Sequence, residues 1–429
     1  MTSNHPRRGP QLIALTIALI ATALASAAPI DLATLAASDG HADSFFGFGV
    51  AMFEETAVIG AHGDNANGVQ SGAAYVFVLS EGCWHQHTKL MASDAQPGDQ
   101  FGGNVAVSED TILVGARGVN DRGDASGAVY VFVRTPSGWT QQAKLTASDG
   151  SAGSAFGQSV ALVGNTAIIG APRDDSKGED SGSAYVFTRS GTQWRQQAKL
   201  IASDGAAGDV FGISVAIDGK TALVGADLDD DGGDNTGSVY VYVNSDDVWH
   251  EQAKLTAADA SDVDIFGVRV AISGETALIA ARRDDDEVKG PDTGSAYVFV
   301  RTGTTWAQQA KLTAADAESG DLFGFAVALE GDIGIITAAM EDDGARNAGA
   351  AYVFTRSGST WTQQRKVTIE GAADNDALGS SVALSNGVAL VGAPTSIVDP
   401  PGRAGSAAIF ELDRITKKHT VQADHPNGR

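Results

Sequence analysis

A single cysteine, Cys83, stands in 429 residues. No disulfide can form within the chain, so burial and hydrogen bonding must hold the fold together. Proline is also scarce, at 11 residues against 52 glycines. That balance excludes collagen-like and proline-rich architectures and points to many tight turns and close backbone approaches. Basic residues number 29 against 53 acidic ones, for a formal charge of −24. The deficit excludes nucleic acid and anionic membrane as partners, because both demand positive charge, while it favours attraction of cations. No Ser-His-Asp order, HExxH helix or glycine-rich phosphate loop occurs, and the expectation is a protein that is not an enzyme. Sustained helical periodicity is missing as well.

No hydrophobic run is long enough for a membrane span. The longest, Leu12 to Ala25, falls short of the roughly 20 residues a spanning helix needs. With Arg7 and Arg8 before it and Ala25-Ser26-Ala27 after it, the run reads as a signal peptide over residues 1–27. The mature chain is then secreted or periplasmic, or held at the cell surface. The Arg pair suggests twin-arginine export, although Pro10 and Gln11 fit that pattern poorly.

What the chain has in abundance is repetition. A Phe-Gly pair begins at Phe46, Phe101, Phe156, Phe211, Phe266 and Phe323 and returns as Leu378-Gly379, at a spacing of 55 residues, once 57. Fourteen residues after each comes a small pair: Gly60-Ala61, Gly115-Ala116, Gly170-Ala171, Gly225-Ala226, Ala280-Ala281, Thr337-Ala338 and Gly392-Ala393. A GAAYVF-like run follows, then a Trp with a polar-then-KL run at Trp84, Trp139, Trp194, Trp249, Trp306 and Trp361. Each unit offers four short strands; in the third they are FGQSVALV, TAIIGAP, GSAYVFTRS and WRQQAKLIA. The apolar runs are nearly unbroken, as in sheets covered on both faces, and radial stacking of seven such sheets covers them. The expectation is an all-β, seven-bladed propeller over residues 28–412, followed by a polar tail over 413–429. The last unit lacks its Trp and fourth strand, and residues 31–37 are expected to supply that strand and close the ring. Glu411 to Thr420 would be the alternative, but Lys417 and Lys418 suit a buried strand poorly.

The phrases FGQSVAL, IIGAP and GSAYVF resemble the FG-GAP repeat of the integrin α-chain propeller and of many exported bacterial proteins, over nearly the whole mature chain. The resemblance implies extracellular binding or adhesion rather than catalysis. It also implies calcium loops between strands one and two, yet only short turns such as Val163-Gly164-Asn165 and Asp218-Gly219-Lys220 stand there.

Acidic residues instead collect in the loops between strands two and three. In DLDDDGGD, Asp227, Asp229, Asp231 and Asp234 surround a glycine turn, and alternate carboxylates on a kinked loop can converge on calcium. The plainer reading is a solvated acidic turn. Arg122-Gly123-Asp124 spells an adhesion tripeptide in the equivalent loop of blade two. The six tryptophans could stack on sugars, but their recurrence at one blade position favours packing; the tyrosines of the GAAYVF-like runs are likewise core. His41 and His62 are the histidines able to meet on the acidic rim, where a metal-assisted hydrolase would need them. The leading expectation is a monomeric binding or adhesion scaffold for an extracellular or cell-surface protein or glycan. A lectin-like or carbohydrate-active propeller is the alternative, and a hydrolase ranks below it.

Overall fold

The computed structural model describes residue 1, residues 33–396 and residues 404–412. The expected leader, apart from Met1, and the expected tail lie outside them. All the described strands fall in the unit Leu32–Arg429. They form seven antiparallel sheets of four strands each. Blade 3 is typical: Ser159–Val163, Thr166–Ala171, Ser183–Ser190 and Gln193–Leu200, hydrogen-bonded in that order. First strands of consecutive blades touch all the way round, and the last, Ser381–Ser385, returns to Val50–Phe53.

Ring closure falls to Ala33–Leu35, which pairs antiparallel with Ser406–Glu411 and makes the seventh sheet four-stranded. Leu35 lies opposite Ala407, as Leu200 lies opposite Ala184 in blade 3. The expected strand over 31–37 is thus present in its central part, and the first and last described strands meet within one sheet.

The strands follow their environment. Strand three is buried on both faces: Ala184, Tyr185 and Val186 are wholly inaccessible, which is why its apolar run does not alternate. Strand four is half-exposed at the periphery, so polar residues occupy it. The apolar clusters lie between blades, not within them. One of them joins Val58, Val76 and Leu90 of blade 1 to Phe101, Val114, Tyr130 and Phe132 of blade 2.

Each Phe anchor is the wedge between neighbours. The Phe101 amide donates to the Ser71 carbonyl of blade 1, while its ring meets Tyr130 and Phe132 edge-on at 5.5 and 6.0 Å. Burying each such ring contributes roughly 2–3 kcal/mol. The glycine that follows is required by geometry. Gly102 sits at φ +93°, and a Cβ there would lie 2.1 Å from the Ala73 carbonyl oxygen of the preceding blade. Gly102→Ala is therefore expected to lower unfolding free energy by at least about 2 kcal/mol, read as a fall in the urea midpoint with unchanged slope.

Candidate ligand-binding face

The two ends of the ring are built differently. On one end, strands one and two, and three and four, are joined by tight turns such as 164–165 and 191–192. On the other lie the loops between strands two and three, such as 172–182 and 282–294, together with the links between blades. The backbone of these loops is fixed by side chains within them. The Asp180 amide donates to Asp175 and the Ser181 hydroxyl to the Asp174 carbonyl, and the same bonds recur in blade 4 from Asn235 to Asp230 and from Thr236 to Asp229.

Beneath the loops, a charged network repeats. In blade 1 the Tyr75 hydroxyl lies 2.8 Å from Asp39 of the incoming link and 2.9 Å from Asp64 of the loop. The Lys89 ammonium, from strand four, reaches both carboxylates at 2.8 Å. One phenol proton cannot serve two acceptors at once, and the three ammonium protons make up the shortfall. Burial works against the Asp39 carboxylate, but hydrogen bonds from Lys89 and Tyr75 outweigh it and hold its pKa below the usual value. Burial, with the Asp64 and Asp39 charges, keeps the Tyr75 phenol protonated. Lys144, Lys199, Lys254, Lys311 and Lys366 play the Lys89 part in blades 2 to 6. Each network joins its blade to the link arriving from the blade before.

Blade 7 drops the whole set together. Ala408 takes the tyrosine position opposite Thr34 in the lysine position, and Ser396 replaces the loop acid, its hydroxyl 2.6 Å from that of Ser406. The link acid gives way to Gly371.

A second link passes between outer strands. A β-bulge in the pairing of strands three and four leaves Gln142, Gln197, Gln252 and Gln309 without a cross-strand partner. Each accepts the indole N–H of the next blade's tryptophan: Trp194, Trp249, Trp306 and Trp361, at 3.1 to 3.2 Å. Arg189, Arg301 and Arg356 cover the Trp194, Trp306 and Trp361 rings. With edge and face both engaged, Trp194, Trp306 and Trp361 are structural.

The residues expected to bind calcium are divided. Asp229 and Asp231 both hold the Lys254 ammonium, Asp229 at 2.9 Å, and Asp229 also takes the Tyr240 hydroxyl at 2.7 Å. Asp234 is exposed and accepts from the Asn235 side chain. Asp227 belongs to the ring axis; burial, eased by Arg269 and Arg282, pushes its carboxyl up to about 6. A side-chain cation therefore occupies the point where the carboxylates converge. Among the described residues, no group of three or more acids, histidines or cysteines is otherwise arranged to hold a metal. Arg122-Gly123-Asp124 lies in its loop with Arg122 and Asp124 exposed. His41 accepts the Asn65 amide, whereas His62 stacks on Phe45 and meets Phe48 edge-on, and no shared proton path links the two.

Near the axis, on the loop face, stands a group that spacing did not reveal. Arg117, Asp227 and Arg282 begin the loops of blades 2, 4 and 5, Arg173 follows Pro172 in blade 3, and Arg269 lies on the first strand of blade 5. Arg117 donates to Gln100 at 2.7 Å and to Gln158 at 2.9 Å. Burial and then the Arg173 charge lower its pKa. Burial and Arg282 lower Arg269 to about 10. A cleft of about 490 Å³ lies among blades 2, 3 and 4 here, lined by Arg117, Arg173 and Asp227 with Pro172, Val210 and Leu228. The signal available in the sequence was arginine recurring next to the Gly-Ala pair, whose meaning appears only when the ring brings the loop starts together.

A family model described as an FG-GAP repeat matches seven times, at residues 30–77, 84–132, 139–187, 194–242, 249–299, 306–354 and 361–410. A search of curated proteins gave no match. Among solved structures, a chain from "Crystal Structure of Mitotic Checkpoint Complex" is similar at 11% identity and TM-score 0.54, covering 94% of this chain and 99% of that one. At that identity the likeness is one of fold alone.

Three outcomes follow from the networks. Lys199→Met should cost about 2 kcal/mol, less than the loss of a fully buried pair because the lysine keeps 23% of its side-chain surface exposed. Replacing Tyr185, Lys199, Asp174 and Asp149 together by the blade 7 set (Ala, Thr, Ser and Gly) should cost less than the four single losses summed, read by urea denaturation. Millimolar calcium should raise the Tm of Lys254→Ala more than that of the unaltered chain, whose ammonium already neutralises the loop; equal shifts would contradict this.

Proposed function

The chain belongs to the FG-GAP repeat family, and from that premise we propose that it is an exported, monomeric and non-catalytic binding or adhesion scaffold whose loop face engages an extracellular protein or glycan. The observation that carries this reading is the asymmetry of the ring. The strands barely change from blade to blade, while the loops of one face read NANGVQ, DDSKGED, LDDDGGDN and DDDEVKGPDT in turn. The opposite face keeps tight turns throughout. Variation gathered on one face of a rigid frame is how a scaffold presents a specific surface. The engaged lysines leave the loop tips as the acidic element of that surface, with Asp175, Asp230, Asp234 and Asp285 among them.

Family membership supports a binding role in general, and among the described residues no helix is long and apolar enough to cross a membrane. The tryptophans of blades 3 to 6 supply no argument for a lectin, because their indole N–H groups are bonded to neighbouring blades.

The full chain, biotinylated, is the bait against a glycan array and an extracellular protein fraction. Lys177→Ser, Asp234→Ser and Val288→Ser, all at exposed loop positions, are expected to reduce capture at least tenfold in combination. Lys220→Ser and Asp246→Ser on the turn face should leave capture intact. The reverse pattern would assign binding to the other face.

A further inference from the structure

Acids outnumber bases almost two to one in this chain, and beneath the loop face six lysines are held by carboxylates. The axial arginines are an exception. Arg117, Arg173, Arg269 and Arg282 form no ion pair with a carboxylate among the described residues, whereas Arg134, Arg301 and Arg356 on the outer strands each do. Like charges lie near one another here, Arg173 bearing on Arg117 and Arg282 on Arg269. The Arg282 Nε is buried without a partner, its guanidinium over the Phe325 ring at 5.2 Å. Asp227 acts on Arg269 and Arg282 without pairing with either, whereas Arg117 has only the like charge of Arg173 beside it. A half-buried guanidinium without a carboxylate costs free energy that the many available acids could have removed.

Arg117 is also held in place. Gln100 fixes its Nε and Gln158 one terminal nitrogen, from the links that open blades 2 and 3. Both amides accept, so they orient the guanidinium without neutralising it. Arg173 shares the cleft wall with it and is exposed. The remaining wall is largely apolar, through Pro172, Val210 and Leu228, with Asp227 as the carboxylate. A concave site of this size, apolar with a few convergent polar groups, matches the usual small-molecule pocket.

We propose that the cleft among blades 2, 3 and 4 binds a small organic carboxylate, its carboxyl group taken by Arg117 and Arg173 and its apolar body lying on Pro172, Val210 and Leu228. Guanidinium suits this task because its planar fork meets both carboxylate oxygens. The Asp227 charge in the cleft lining disfavours a second anionic group on the ligand and favours a neutral or cationic end. The inference deepens the reading of the loop face as the binding face and rests on it.

Hexanoate, its neutral isostere hexanamide, hexylamine and inorganic phosphate serve as probes, titrated into the full chain by isothermal calorimetry and saturation-transfer NMR. Hexanoate is expected to bind at least tenfold more tightly than hexanamide, with 6-aminohexanoate tighter still. Arg173→Gln, at an exposed position, should weaken hexanoate about tenfold with Tm unchanged, and Arg117→Gln should weaken it further. Lys220→Gln on the opposite face is the control and should leave binding as it was. Absence of hexanoate binding, equal binding of hexanamide or of phosphate, or hexanoate affinity indifferent to both arginine substitutions would overturn the proposal. If the loop-tip variants still abolish capture while hexanoate fails, the cleft is wrong and the face stands. If hexanoate binds as described while capture follows the turn face, the carboxylate site stands and the face assignment falls.

Discussion

Each sheet of this protein hides both faces against its neighbours, and everything else in the molecule depends on that contact. A lone four-stranded blade with Tyr185, Val186 and Ile169 in its middle would leave two apolar faces in water. Packed radially, those residues become inaccessible, and the cores form between blades. The close approach this requires explains why the Phe anchor is followed by a residue without a side chain. It also explains why Ala33–Leu35 must pair with Ser406–Glu411, since an open ring would leave the apolar faces of blades 1 and 7 bare. Three residues, Ala33–Leu35, supply the strand that completes the seventh sheet.

Apolar contact alone does not fix the angle or height of one blade against the next, and polar groups do this at both edges. Near the loop face, link, loop, tyrosine and lysine are joined in blades 1 to 5, and in blade 6 Lys366 still holds Asp316 and Glu341 while the Tyr352 hydroxyl is buried without a partner. Near the periphery, a bulge turns one glutamine out of the pairing and toward the following blade's tryptophan. The coincident loss of all four network members in blade 7 is the strongest sign that they act as a unit. A surviving lysine or loop carboxylate would be a part-buried charge without its partner, which costs more than an alanine and a serine. The same logic runs through blade 2, where Val119 takes the loop acid position and Asp121, two residues on, meets Lys144 instead.

The architecture was legible in the sequence because a repeat announces the same local environment again and again. Blade count, strand order and the closing strand could all be read from the phase of four anchors. The networks were less legible. Lys144 and Asp94 stand 50 residues apart in different anchors, and an acidic loop read alone resembles a solvated turn. Asp227 and Asp229 looked like partners at alternate positions. Alternation holds only within a strand, however, and Asp227 is the first residue beyond Thr221–Ala226. The backbone turns there, sending one carboxylate to the axis and the other to Lys254. The axial arginines come from three repeats, and only the closed ring gathers them.

Native-state hydrogen exchange on Leu35→Asp, read by mass spectrometry, tests the central dependence on mutual covering most directly. A charge at this buried closing position should release strand three of blade 7 and, with it, the interior strands of blade 1, whose faces share a core with Leu35, Phe46 and Tyr75. Protection should fall in both blades together and by a similar factor. Exchange that rises at residues 33–35 alone, with blade 1 as protected as before, would contradict the account.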